Sequence, residues 1–100
     1  MFVMTTVTYP PDKTVEVVKV FTKAEETPLP SFLKRQHVLT TTAGESGLRT
    51  YGIYEVEAGK EYEGLQEISK RMVAFFGIAG FRYRVEPAMT PEESIPMLGL

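Results

Sequence analysis

KEYEGLQEISKRMVAFFGIAGFRYRVE, residues 60–86, decides the fold. Tyr62, Leu65, Ile68, Met72 and Phe75/Phe76 recur at three- and four-residue spacing, the period of a buried helix face. Glu61 and Glu63 stand early and Lys70 and Arg71 late, the order that suits the helix dipole. Glu67 and Arg71 are spaced to pair at i,i+4, a contribution of about 0.2–0.5 kcal/mol. Gly77 is placed to end the helix in a left-handed conformation, and Gly80 lets the chain reverse. A strand follows in which Phe81, Tyr83 and Val85 alternate with Arg82, Arg84 and Glu86, so the apolar set belongs under the helices.

Upstream, residues 2–9 (FVMTTVTY) are β-branched and aromatic and stop at Pro10 and Pro11, which predicts a first strand. Neither of its faces carries charge, so it should be covered on both sides and central in its sheet. Residues 11–27 (PDKTVEVVKVFTKAEET) hold valines that suit a strand as well as a helix. Periodicity favours the helix, because Val17, Phe21 and Ala24 form a stripe with Val18 beside it. Pro11 suits a first helical turn, and Pro28 and Pro30 forbid continuation. Residues 32–42 and 48–57 then read as two strands joined by a glycine-bearing hairpin connection at 43–47. Gly52, inside the second of these, marks a place where another group approaches closely.

The order β-α-β-β-α-β and right-handed crossovers predict an α+β, ferredoxin-like fold. It has a four-stranded antiparallel sheet with the first and third strands central and two helices on one face. One hundred residues make one domain, 1–100, with a core in 2–87. The tail 88–100 carries a capped turn at Thr90, Pro91, Glu92 and Glu93 and an apolar end, which should dock on the domain or on a partner. The bare sheet face is too apolar to be simply solvated, so a homodimer is expected.

The chain is similar to the dimeric α/β-barrel superfamily over residues 2–87. The likeness lies in the element order, the VTYPPDK end of the first strand, the hairpin, and the long helix running into GFRYRVEP. The resemblance implies a dimeric barrel with a cavity beside the sheets. Its members include small monooxygenases, lactone isomerases and haem-binding enzymes, so the implied activity ranges from none to cofactor-independent oxygenation or isomerisation.

Composition narrows the chemistry. A net charge of −2 gives no general attraction to nucleic acid or anionic membrane. No apolar run is long enough for a membrane helix, and MFVMTTVTYP lacks signal-peptide features. Together with the absence of cysteine this points to a cytoplasmic protein. One histidine, one aspartate and no cysteine leave no clustered metal-ligand set, and no cofactor is expected.

The catalytic candidates are His37, the one imidazole, and Tyr51, where the missing side chain of Gly52 beside it could leave space for a flat ligand. Tyr54, Arg49, Arg82 and Arg84 are the candidates for binding a small apolar or anionic ligand on the helix-free face. Each has a structural alternative. The arginines can pair with Glu55, Glu57 or Glu86, the tyrosines can pack a core or dimer interface, and His37 can be a surface residue. In the superfamily's haem-degrading members a helical histidine works with Asn and Trp, types absent here, so His37 is no haem ligand. Two functions follow: a small-molecule-binding dimer, with or without catalysis, or a non-catalytic protein-association module.

Overall fold

The computed structural model describes residues 1–42, 44 and 47–100. The chain runs through β1 (Phe2–Tyr9), α1 (Thr14–Ala24), β2 (Leu33–Thr42), β3 (Leu48–Val56), α2 (Glu61–Met72), β4 (Arg82–Ala88) and α3 (Pro91–Met97). Within residues 11–27 the helix reading holds over Thr14–Ala24. Pro11 opens a 3-10 turn that leads into α1, and Lys13 and Glu16 pair at 3.4 Å along it. Of the 43–47 connection, Ala43, Glu45 and Ser46 lie outside the described residues, so its turn type is not assigned.

The four strands form one antiparallel sheet in the order β2-β3-β1-β4, compatible with the ferredoxin-like arrangement. β1 and β3 are the inner strands. Pairing registers Val3 with Tyr54 and Pro87, and Thr5 with Gly52 and Val85, so these residues share one face. Both long helices pack on that face. Ile68 of α2 joins Val3, Leu33, Tyr54 and Val56 in one buried cluster. Val17 of α1 joins Tyr9 and Phe75 in a second, where Phe75 and Phe81 stack at 4.8 Å between ring centres.

β2 is irregular. Its pairing with β3 shifts between Arg35, opposite Tyr54, and His37, opposite Ile53. Gln36 is thus the extra residue of a bulge, and its amide donates to Glu55 Oε2 at 2.7 Å. A bulge changes the phase of alternation. Arg35 and Val38 therefore face the helices, while His37 faces the bare side.

Several sequence expectations need correction. Tyr62, placed on the buried stripe of α2, is 72% exposed. Phe75 is buried and Phe76 is exposed, because α2 tightens into a 3-10 turn at Val73–Phe75 that advances the phase of its last side chains. Phe76 stacks instead on Tyr83. Gly77 adopts a φ of 95°, the left-handed conformation expected of it, and Gly80, where the chain reverses, has a φ of 79°. The Glu67–Arg71 pair forms at 3.2 Å. Arg71 also donates to the carbonyls of Thr27 and Pro28, fastening α2 to the segment between α1 and β2.

The tail forms α3 behind a full capping box. Thr90 Oγ1 accepts from the Glu93 N–H, and Glu93 accepts from the Thr90 N–H. The Met1 amine lies 2.7 Å from Glu93, and this contact, with the Thr90 backbone bond, holds the Glu93 carboxyl below its ordinary pKa. The start of α3 is fixed to its own domain, while Ile95, Met97, Leu98 and Leu100 remain exposed.

Candidate functional site

A cavity of about 190 Å³ opens between α1, the end of α2 and the helix-covered face of the sheet. Sequence reasoning expected a cavity on the helix-free face; this one lies on the opposite side of the sheet. α1 leaves the space because its valines are small and splayed. Val17 is buried, but Val18 on the next position is half open to water and only skirts the cavity. The floor is apolar, with Val7, Tyr9, Met72 and Phe75.

Gly52, Thr5 and Tyr54 make the polar wall. A Cβ on Gly52 would lie 2.5 Å from Thr5 Oγ1 and 2.9 Å from Tyr54 Cε2. The groups approaching Gly52 are thus the Thr5 hydroxyl and the Tyr54 ring, on the helix side, and Tyr51 lies on the other face. Side-chain hydroxyls of Thr40 and Thr50 continue this wall, 2.9 Å apart.

Charge appears at the rim. Arg35 ion-pairs with Glu25, the residue that ends α1, through Nη2. Its guanidinium carbon lies 5.4 Å from the centre of the Phe21 ring and 6.0 Å from that of Tyr54, within cation–π range of both. The Glu25 hydrogen bond raises the Arg35 pKa, and partial burial pulls the other way. Arg71 also lines the cavity, but Glu67 and the carbonyls of Thr27 and Pro28 occupy its guanidinium.

Of the sequence candidates, only Tyr54 belongs to this cavity. The other five lie on the bare face, where pairing sets them in rows across the sheet. Arg82, Thr8 and Arg49 form one row, and Arg84, Thr6 and Tyr51 the next. Arg49 Nη1 donates to the Tyr51 hydroxyl at 3.3 Å. Arg84 stands 4.0 Å from Glu86 with its side chain 74% exposed. His37 is exposed on β2, opposite Ile53 and separated by two intervening strands from Arg82 and Arg84. The arginines and Tyr51 thus gather at one end of the bare face, and His37 does not join them.

The sequence reading missed Arg35, Glu25, Phe21 and Thr5 as site residues. A partial signal was present, since Gly52 announced a close approach on whichever face its neighbours took. Among the described residues no three His, Asp or Glu side chains are placed to hold a metal ion. No described helix is long and apolar enough to cross a membrane. No protein-family model matches the chain, and no curated protein matches it.

Proposed function

We propose that this protein, a single ferredoxin-like domain, binds a small and mostly apolar molecule in the cavity beneath α1. The observation that carries this reading is the cavity itself, about 190 Å³ with an apolar floor and polar groups confined to one wall and the rim. Engineered apolar cavities of about 150 Å³ take up benzene, so this space suits one ring with a small substituent. A few convergent polar groups over an apolar lining are what fix a ligand's orientation. The Tyr54 phenol is the group best placed to donate to or accept from such a ligand. Cofactor-independent chemistry on the bound molecule would be a use of the same site.

The test is 19F NMR titration with 4-fluorobenzamide, whose small size sets an expected Kd on the order of 1 mM. Saturable broadening should appear, should vanish in Ala24→Phe, which fills the cavity, and should survive Arg82→Ala with Arg84→Ala. Binding that survives the first change and is lost in the second would move the site to the bare sheet face.

A second reading concerns assembly. The bare face has arginines at one end and Glu86 and Glu55 nearer the other, with Met4 and Ile53 in the same row as Glu86. A two-fold axis lying in the plane of contact and running across the strands would set the arginine end of one copy against the acidic end of the next, a pairing consistent with the homodimer of a dimeric α/β barrel. The exposed apolar residues of α3 also favour association. A solution mass of about 11 kDa at micromolar concentration, the mass of one chain, would remove this reading.

A further inference from the structure

We propose that Arg35 is the anion-recognising group of this cavity and Glu25 its internal competitor, so that the ligand is an apolar molecule bearing one carboxylate. This inference rests on the cavity reading above and adds the ligand's charge to it.

Three observations lead here. First, Arg35 follows Leu33 in regular alternation onto the helix-covered face, ahead of the bulge at Gln36, and stands at the rim of an apolar space. Phe21 and Tyr54 flank its guanidinium at 5.4 and 6.0 Å, which restrains the group. A planar guanidinium held in this way presents a fork that matches a carboxylate, a geometry that lysine lacks.

Second, Glu25 engages only Nη2. The side chains of the pair are 33% and 41% exposed, so water screens the pair and its exchange for another carboxylate costs little. Glu25 sits just past the last turn of α1 and can turn out to solvent when displaced. Third, Arg71 is no rival for the ligand. Its three guanidinium nitrogens are taken by Glu67, Thr27 and Pro28. Among the described residues lining the cavity, Arg35 is thus the cation whose present partner is exchangeable. A ligand with its ring on the apolar floor and its carboxylate at the rim would satisfy both parts at once.

Two probes of nearly equal shape, 4-fluorobenzoate and 4-fluorobenzamide, separate charge from fit. By 19F NMR, Glu25→Gln should tighten 4-fluorobenzoate about two- to fivefold, the effect of removing a partly exposed competing charge. It should shift 4-fluorobenzamide by less than it shifts the benzoate. Arg35→Met, which keeps the stem against Phe21, should weaken the benzoate about tenfold or more and shift the amide less than twofold. Equal responses of the two probes in Glu25→Gln would overturn the proposal, even if Arg35→Met failed to fold. If neither probe binds the natural protein, the cavity reading itself falls. If the amide binds and Ala24→Phe abolishes it, but the benzoate-to-amide ratio ignores Glu25 and Arg35, only the charge assignment falls.

Discussion

The half of the sheet under α2 and the half under α1 are packed to different standards. Under α2, Ile68 is 1% exposed and Val3 is fully buried. A Cβ at Gly64 would come within 2.8 Å of Val56, so helix and strand are as close as the side chains permit. Under α1, Val15 and Val18 look outward and unfilled space remains between helix and sheet. One helix holds the domain together and the other leaves room. The division is physical, because a close-packed interior has no place for a ligand and a cavity forfeits contacts that would stabilise.

Substitutions that strike each half test the contrast. Ile68→Ala should cost about 2–5 kcal/mol in chemical denaturation, the range for a large-to-small change in a tight core. Gly52→Ala sits between the halves. Its methyl must push Tyr54 or Thr5 aside, which should cost about 1–3 kcal/mol and also displace the cavity's polar wall. Loss of probe binding without loss of stability would show that Tyr54 yields easily into the cavity. Val18→Ala, at a half-open position, should change stability by no more than about 0.5 kcal/mol. If Val18→Ala and Ile68→Ala prove equally damaging, the two halves are alike after all.

Much of the fold could be read from the residues. The stripe of α2, the left-handed glycines at 77 and 80, and the alternation in FRYRVE each have one local cause and one structural result. The capping box of α3 was likewise written in Thr90 and Glu93. The site was less legible. Regular alternation sets Arg35 and His37 on one face, and nothing in FLKRQHVLTTT marks Gln36 as an extra residue, since polar side chains suit either face of an edge strand. That single phase shift stayed hidden in the sequence, and it carries His37 to the bare face while Arg35 keeps the face set by Leu33. The cavity was hidden for another reason. Two helices over four strands suggest a sealed layer, and the void depends on how α1 turns its valines, which is a tertiary outcome.

The bulge in β2 has a further consequence for how copies of this chain can meet. β2 is an outermost strand, and outermost strands offer unpaired N–H and C=O groups to any passing chain. An extra residue at Gln36 breaks the even spacing of those groups, so the strand is a poor template for another strand. On the opposite border β4 is short and carries Pro87, which has no N–H to offer. Both borders are thus blunted against edge-to-edge growth, and orderly self-association is steered to the broad surfaces of the molecule, where it can close instead of propagating.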